Sequence, residues 1–453
     1  MNLRTIENIY SKTKSYIQRN GVAETAVRSV EGFKEAADNL LYASEARKRE
    51  ASKRSLPECG AFEKNIRFSL LIPTYDPDPD DFDFLMRSIA EQTYKNLEIV
   101  IADAGKTDNV ENCAQGYKDS GKLSDIIYIR LEENKGISGN TNEALKAATG
   151  DYVALIDHDD FLSADAFESV AGALQNGADI AYTDEDKYYG PEDKYFTPNR
   201  KPDFNLDLLL SNNYICHLFV VKRSIALATG GFRTEFDGAQ DYDFILRCIE
   251  QTMRENIVHV PQILYHWRAS DGSTADNPES KLYAYESGRK VLEAWLKRHG
   301  INGNVEHTNH RGFYRITYSQ NEIPEYKVLM DDRLIAENDE NEKILASYFA
   351  REEVGAVGAR VVGRLGNIIS SGYTTDSYGR KVPLYDKMNM HFSGYMHRAA
   401  MQQDVEAVSN KACVVRSDLM QYYDKDPMEM FRRIREAGYL VVVDPEVVYR
   451  FIQ

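Results

Sequence analysis

Acidic side chains follow apolar runs of the sequence directly. Asp103 comes after LEIVIA, and residues 157–160 (DHDD) come after YVALI. Asp157 and Asp159 are two residues apart, so on an extended chain their carboxylates point the same way. Carboxylates at the end of a buried segment are costly unless a cation or water is close. Oxygen ligands suit Mg²⁺ or Mn²⁺, so the pattern predicts a metal site, and an Asp-rich turn capping the next helix is the alternative.

The elements that must position these acids alternate between short apolar runs and amphipathic stretches. Strands are predicted at Phe68–Pro73, Leu97–Ala102, Ile126–Leu131 and Tyr152–Asp157. Helices are predicted from about Asp80 to Gln92 and over Asn140–Ala148. This alternation predicts an α/β fold with an open, mostly parallel sheet and helices on both faces. Ligands of such sheets bind beyond the carboxyl ends of the strands, where the acids fall.

Several segments carry motifs in a characteristic order. They are LLIPTYD, LEIVIADAGKTD, ENKGISGNTNEALKAATGDYVALIDHDD, TDEDK, SNNYICHLFVVKRS, GGFRTEFDGAQDYDFILR, and VPQILYHWR followed by GST. Between about Phe68 and Gly300 they resemble the nucleotide-binding half of family 2 glycosyltransferases, and most of all the bacterial enzymes that build rhamnose-containing and other cell-surface polysaccharides. The resemblance implies a Rossmann-like GT-A fold and inverting transfer of a sugar from a nucleotide-sugar donor.

The resemblance assigns roles residue by residue. It implies donor contacts from Pro73, Tyr75, Asp103, Asn134, Gly136, Asn140, Asp157 and Arg268. It implies a DxD element for Mg²⁺ or Mn²⁺ at Asp157 and Asp159, with Asp159 as the direct ligand and His266 as a further metal or diphosphate contact. Many relatives carry two consecutive acids after the second strand, whereas Ala104 follows Asp103 here. The choice between uridine and thymidine, a UDP- or a dTDP-sugar, therefore stays open.

Asp241 matches the position of the catalytic base in these enzymes. Such a carboxylate is needed because the attacking hydroxyl must lose its proton on the face opposite the leaving diphosphate. A divalent ion would neutralise the charge that develops on that diphosphate. The segment DGAQDYDF also opens a helix, where the dipole favours acids, so a purely structural role is the alternative for Asp241.

Acceptor contacts are expected from a second group of residues. The candidates are Asp184, Glu185, Asp186, Gln240 and His217. A solvated acidic turn is the alternative for the three acids, and a structural histidine is the alternative for His217. The polar run SDGSTADN, residues 270–277, is expected to form a lid over the diphosphate, with His266 and Arg268 beside it.

Composition limits the class of protein. The 453 residues suffice for two or three domains, and the net charge of -16 argues against a general nucleic-acid binder. The five cysteines are scattered without a CxxC pair, which predicts neither a disulfide framework nor a zinc knuckle. No signal peptide or membrane-spanning run is visible, so we expect a cytoplasmic protein, with peripheral contact at the inner face of the membrane left open.

Three domains are predicted: a helical segment at 1–64, a GT-A domain at 65–305 and a second module at 306–453. In the first, Gly21 separates two helical stretches. They are expected either to form a helical hairpin that packs on the enzyme or on a homo-oligomeric partner, or to dock on an anionic membrane. In the third, the first strands of such a domain are missing, and Asp331-Asp332 falls where a DxD would sit. We therefore expect a partial, inactive GT-A-like module for packing, dimerisation or acceptor positioning.

These observations predict a hexosyl- or rhamnosyltransferase that extends a cell-wall, capsule or O-antigen polysaccharide on an oligosaccharide or lipid-linked acceptor. Two alternatives belong to other classes. A nucleotidyltransferase uses a similar sheet with paired acids, but no Gly-rich basic loop for a triphosphate is visible. A non-catalytic sugar-binding or scaffold subunit would make Asp159 and Asp241 dispensable.

Overall fold

The computed structural model describes residues 29–269, 282–319 and 323–452. These residues form two compact units. The N-terminal unit comprises Glu35–Phe204 and Asn213–Val291, and the C-terminal unit comprises Asn205–Asn212, Leu292–Gln453 and the described part of Met1–Lys34. The segment Asn205–Asn212 thus belongs to the C-terminal unit, although in sequence it interrupts the N-terminal unit.

The sheet of the N-terminal unit has nine strands in the order β3-β2-β1-β4-β8-β6-β9-β5, with β7 paired to β6. Their bounds are β1 Phe68–Thr74, β2 Leu97–Asp103, β3 Ile126–Arg130, β4 Tyr152–Leu155, β5 Phe161–Leu162, β6 Ile180–Tyr189, β7 Lys194–Asn199, β8 Phe219–Lys222 and β9 Ile257–Arg268. The four strands predicted from sequence form its parallel half. The other half is mixed, because β8 runs antiparallel to β4 and β6, whereas β6 and β9 are parallel. The predicted α/β class is confirmed.

The helices alternate with the strands along the chain. Their bounds are α1 residues 29–53, α2 Pro79–Ala90, α3 Asn109–Asp119, α4 Gly136–Ala147, α5 Ala166–Ala173, α6 Leu206–Ser211, α7 Arg223–Ala228, α8 Gln240–Ile249, α9 Leu282–Arg298, α10 Asn341–Ser347 and α11 Pro427–Glu436. Asp78 caps α2 by accepting from two backbone N–H groups, and Pro79 follows at its first position. β1 and β2 are buried along their whole length, as their continuous apolar runs predict.

Helix α1 lies within the segment 1–64 that was predicted to be helical. Residues 1–28, including Gly21, lie outside the described residues, as does the predicted lid at 270–277. Tyr42 and Ala46 of α1 are buried in a cluster with Phe161, Tyr188 and Ile263 of the sheet. No described helix is both long and apolar enough to cross a membrane.

The C-terminal unit is built on a seven-stranded sheet in the order β12-β19-β14-β20-β13, with β15 paired to β14 and β18 to β20. Two pairs, β10–β11 and β16–β17, stand apart from it. The bounds are β10 Gly303–His307, β11 Tyr314–Tyr318, β12 Tyr326–Met330, β13 Leu334–Ala336, β14 Val354–Val362, β15 Ile368–Ser370, β16 Tyr373–Thr375, β17 Lys381–Pro383, β18 Gln403–Asp404, β19 Ala412–Arg416 and β20 Leu440–Phe451.

The seven-stranded sheet repeats the topology of the mixed half of the nine-stranded sheet. The order β4-β8-β6-β9-β5 recurs as β12-β19-β14-β20-β13, with the same sequence of antiparallel, antiparallel, parallel and antiparallel pairs. Helix α10 lies between β13 and β14 as α5 lies between β5 and β6, and α11 precedes β20 as α8 precedes β9. Among the described residues, the C-terminal unit has no counterparts of β1 to β3.

Candidate functional site

Three side chains that could hold a metal ion meet beyond the carboxyl end of β4. Asp157 and Asp160 follow that strand, and His217 precedes the antiparallel strand β8, so the sheet brings all three to the same edge. One ligand atom of each lies within 4.8 Å of the others. The His217 Nε2 atom lies 3.6 Å from the Asp157 carboxylate, and the His217 ring stacks on Tyr265.

Asp160 is the buried member of this trio. It accepts hydrogen bonds from the Tyr265 hydroxyl at 2.7 Å and from the Arg268 backbone N–H at 2.8 Å. Burial, together with the charges of Asp159 and Asp157, raises the pKa of Asp160 well above its usual range. A cation at this position would relieve that repulsion. Two carboxylates and an imidazole suit Mn²⁺, and oxygen ligands suit Mg²⁺, so the residues present fit a divalent ion.

Asp159, the predicted direct ligand, is not part of the trio. Its side chain is exposed, and its backbone carbonyl accepts a hydrogen bond from Arg268 Nε at 2.9 Å. The Arg268 guanidinium also pairs with Asp81 of α2 at 3.1 Å and lies over the ring of Phe84. Arg268 therefore links the DHDD turn to α2, a contact that differs from the predicted contact with the donor.

Asp241 is the second residue of α8, so the predicted base also lies where the helix dipole favours an acid. Its Oδ2 accepts a hydrogen bond from Asn213 Nδ2 at 2.8 Å and lies 3.9 Å from Cys216 Sγ. Burial raises the pKa of Asp241, and the charge of Asp157 acts in the same direction, whereas His217 lowers it. A carboxylate with a raised pKa is a stronger base than an exposed aspartate.

Asp103 lies at the end of β2 and is fully buried. Its carboxylate accepts hydrogen bonds from Thr74 Oγ1, the Gly105 N–H and the Tyr128 hydroxyl. A Cβ atom at Gly105 would lie 2.9 Å from Asp103 Oδ1, so only glycine fits this turn. Asp103 thus shapes the end of β2. Tyr75 is 45% exposed beside it, and Pro73 contributes its carbonyl to a contact with His158 Nδ1 at 3.3 Å.

The predicted donor residues of the ENKGISGN segment form the start of α4. Asn134 Oδ1 accepts from the Gly136 N–H and from Asn140 Nδ2, both at 3.0 Å. Asn140 Oδ1 in turn accepts from the Lys135 N–H. Gly136 has a φ of +75°, and a Cβ atom there would lie 2.8 Å from Asp237 Oδ2. These residues fix the entry to α4.

Strands β6 and β9 present different chemistry on their two faces. His266 is fully buried on the face that α1 covers, where its ring bonds Asp186 at 2.6 Å and approaches Glu50 of α1 at 3.3 Å. Tyr265 and Trp267 lie on the opposite face with the trio, as the alternation of strand side chains requires. The structure therefore does not bring His266, a predicted metal contact, to the trio.

The predicted acceptor residues separate in the same way. Asp186 lies with His266 on the α1 side, and Asp184 is buried between the Lys201 N–H and His259 Nε2. Glu185 lies near the site, where its carboxylate accepts from the His217 N–H and pairs with Lys201 at 3.2 Å. The Gln240 side chain accepts from the Gly238 N–H at the start of α8.

Sequence reasoning missed three residues, one at the site and two on the opposite face of the sheet. Asn213 was quoted only inside the SNNYICH motif, and its amide is what contacts Asp241. Glu50 and Tyr42 of α1 supply polar partners to the buried cluster of His266 and Asp186. Ala46 and Glu50 are four residues apart and so share one face of α1. This spacing predicts a common face but does not specify a partner for Glu50.

Residues 69–229 match the family model described as glycosyl transferase family 2. The match covers the strands β1 to β8 and the loops that carry Asp157, Asp160 and His217, so this part of the chain is similar to family 2 glycosyl transferases. The predicted GT-A fold class is confirmed, and the second sheet forms a partial module.

Curated relatives match over about half of the chain. An uncharacterized protein of Sinorhizobium fredii is 40% identical over 233 residues, which are 51% of this chain and 25% of that protein. The O-antigen biosynthesis protein RfbC of Myxococcus xanthus is 29% identical over 266 residues, 58% of this chain and 20% of that protein. The chain thus spans only a quarter or less of the length of these relatives.

Solved structures match more weakly. Residues 1–349 of the S. aureus protein TarS, in complex with UDP-GlcNAc, are similar at 17% identity with a TM-score of 0.39, covering 52% of this chain and 72% of that one. A mannosyltransferase from Pyrobaculum calidifontis in complex with GDP-Man and Mn²⁺ matches at 17% identity with a TM-score of 0.36, covering 62% and 87%.

Proposed function

We propose that the chain is an inverting glycosyltransferase that moves a sugar from a UDP- or dTDP-sugar to a hydroxyl of a saccharide or lipid-linked acceptor. The observation that carries the proposal is the pairing of two acidic centres beside one loop. Asp157, Asp160 and His217 gather at the end of β4, and Asp241 approaches the same loop through Asn213 and Cys216. One centre fits a cation and the other fits a base.

The chain's own residues account for the proton and for orientation. Asp241 accepts the proton of the acceptor hydroxyl while the oxygen of that hydroxyl attacks the anomeric carbon of the donor sugar. The bond from this carbon to the diphosphate oxygen breaks on the opposite face. Asn213 holds the Asp241 carboxylate through a hydrogen bond to Oδ2. Asp157, Asp160 and His217 would hold Mg²⁺ or Mn²⁺, which when bound would neutralise the leaving diphosphate.

The names of relatives support a cell-surface saccharide as the product. RfbC is named for O-antigen biosynthesis, another relative is a chondroitin synthase of Escherichia coli, and a third is a glucosyltransferase acting on a diphosphoundecaprenol-linked GlcNAc. These acceptors share a saccharide hydroxyl and differ in what else they carry. We place the sugar donor among hexosyl and rhamnosyl nucleotides.

We further propose that the C-terminal unit has no donor site of its own. Asp331 follows β12 and lies opposite Lys411, which precedes β19, much as Asp157 follows β4 and lies near His217, which precedes β8. Asp331 pairs with Arg333 at 2.7 Å and lies 4.0 Å from Lys411. Two cationic side chains therefore occupy the neighbourhood in which the N-terminal unit gathers acids.

Donor binding tests the proposal directly. The full chain is titrated with a panel of UDP-, dTDP- and GDP-sugars, each with Mn²⁺ and with EDTA, and slow hydrolysis of the donor is followed. We expect metal-dependent binding of at least one sugar nucleotide, with loss of hydrolysis but retention of binding in Asp241→Asn. Folded protein that binds none of them would favour a non-catalytic scaffold, and cleavage of a nucleoside triphosphate instead would favour a nucleotidyltransferase.

A further inference from the structure

A positively charged side chain with no carboxylate partner lies on the site face of the sheet. Lys187 is on β6, two residues after Glu185 and paired in register with Trp267 of β9. Its ammonium nitrogen lies over the indole of Trp267, 5.1 Å from the ring centroid. Among the described residues, no carboxylate lies within 4.0 Å of this nitrogen.

The neighbouring cation is satisfied in a different way. The Lys201 ammonium group is buried, pairs with Glu185 at 3.2 Å and donates to the backbone carbonyls of Ile215 and His217. Glu185 is further bonded by Asn199 Nδ2 and by the His217 N–H. The one carboxylate near Lys187 is therefore already committed to other donors, and the charge of Lys187 is left over.

Lys187 lies near the residues that surround the proposed base. The titratable groups that act on its ammonium group are Glu185 and Cys216, and Cys216 Sγ lies 3.9 Å from Asp241. Burial lowers the pKa of Lys187, so keeping it charged costs free energy in the absence of an anion. Trp267 beneath it offers a flat apolar surface, and the His217 ring meets its edge.

We propose that Lys187 binds an anionic group of the acceptor, either a phosphate or a carboxylate, while the acceptor sugar lies against Trp267. This rests on the proposed function, and it adds that the acceptor is charged. A phosphate would belong to the diphosphate of a lipid-linked sugar, and a carboxylate to a uronic acid unit. A partly buried ammonium group over an aromatic ring recognises both by charge-assisted hydrogen bonds.

The chain offers an optical reporter for this contact. It contains two tryptophans, Trp267 and Trp295, so Trp295→Phe leaves Trp267 as the only indole next to Lys187. In this background, with UDP and Mn²⁺ present, Trp267 fluorescence is titrated with three probes. They are a GlcNAc alkyl diphosphate, a disaccharide ending in glucuronic acid, and the matching neutral disaccharide.

We expect one anionic probe to bind at least about ten-fold more tightly than the neutral disaccharide, the scale of one charge-assisted hydrogen bond. Lys187→Met should remove that preference, Lys187→Arg should retain most of it, and Lys194→Met, which changes a lysine on the neighbouring strand β7, should leave it intact. The probe that wins identifies the source of the charge.

Equal affinity for charged and neutral probes, or an unchanged preference in Lys187→Met, would overturn the proposal. UDP affinity with Mn²⁺ and with EDTA is measured in the same variants. Loss of metal-dependent UDP binding in the parent protein would count against the proposed function itself, whereas retained UDP binding without an anionic preference would count only against the role of Lys187.

Discussion

Replacing Glu50 with alanine should destabilise the N-terminal unit, because this residue of α1 completes a buried ion cluster. Its carboxylate approaches His266 Nε2 at 3.3 Å and accepts a hydrogen bond from Ser163 at 2.6 Å. His266 is fully buried and is held on its other side by Asp186 at 2.6 Å. Two carboxylates around one imidazole keep His266 protonated, and its pKa rises to about 9.

The size of the effect follows from these contacts. A rise of the His266 pKa from 6.5 to about 9 corresponds to about 3 kcal/mol of stability when the histidine is charged. Asp186 is the closer carboxylate, so we assign a little under half, about 1.5 kcal/mol, to Glu50. Loss of the Ser163 hydrogen bond adds about 1 kcal/mol. The sum, about 2–3 kcal/mol, should lower the unfolding temperature by roughly 5–10 °C in a unit of this size.

The assay is thermal unfolding followed by Trp267 fluorescence in the Trp295→Phe background, because Trp267 lies in the N-terminal unit. Glu50→Gln keeps the shape and isolates the charge, so it should lose only about 1.5 kcal/mol. Glu45→Ala, an exposed position on the same helix, is the matched control and should shift the transition by less than about 1 °C.

The pH dependence has a defined sign. The folded-state pKa of His266 lies above its unfolded value, so its contribution is complete below about pH 6.5 and is lost as the pH rises through about 9. The pKa of Glu50 is lowered by His266 and Lys53, against the effect of its burial, so Glu50 stays ionised throughout this window. The gap between the parent and Glu50→Gln should therefore close from pH 6 to pH 10. A constant gap, or equal losses in Glu50→Ala and Glu45→Ala, would refute the reasoning.

Three further predictions concern the site. Asp241→Asn should lower transfer by about 10² to 10⁴-fold with donor affinity unchanged, measured by steady-state kinetics, and normal turnover would remove it from the role of base. Asn213→Ala should move the acid limb of the pH profile of kcat/KM upward by about one pH unit, because the Asn213 hydrogen bond favours the ionised form of Asp241. The facing groups Asp157, His217 and Cys216 are unchanged in this variant. An acid limb that does not move would contradict the prediction. Asp160→Asn should abolish Mn²⁺-dependent donor binding while Asp159→Asn retains most of it, measured by titration with and without EDTA, and the reverse order would restore the DxD interpretation.

The parallel half of the sheet could be predicted from the sequence because β1, β2 and β4 are buried along their whole length and read as continuous apolar runs. FSLLIP and LEIVIA are apolar throughout, and β1 and β2 are confirmed within one residue of their predicted ends. β6 was not predicted as a strand, since TDEDKYY reads as a solvated turn. Its acids are buried through Lys201, His259 and His266, partners that are distant in sequence.

Which acid joins the trio also lay beyond the sequence. The spacing of two that favoured Asp157 and Asp159 assumes an extended chain, whereas β4 ends at Leu155 and the DHDD segment forms a turn. In that turn Asp160 points inward to Tyr265, and Asp159 is exposed. The resemblance pointed to the DHDD segment, and the local backbone determines which of its side chains joins the trio.

The repeated topology allows the charged groups that follow β4 to be compared with those that follow β12. In the N-terminal unit the trio is a concentration of negative charge that costs free energy until a cation binds. After β12 in the C-terminal unit, Arg333 and Lys411 lie beside Asp331. That arrangement carries its own counter-charge and needs no ion. The C-terminal unit also lacks, within its described residues, the three parallel strands that position Asp103 in the N-terminal unit. We therefore propose a structural or acceptor-positioning role for the C-terminal unit, which keeps the strand order, lacks counterparts of β1 to β3 among its described residues and pairs Asp331 with its own cations.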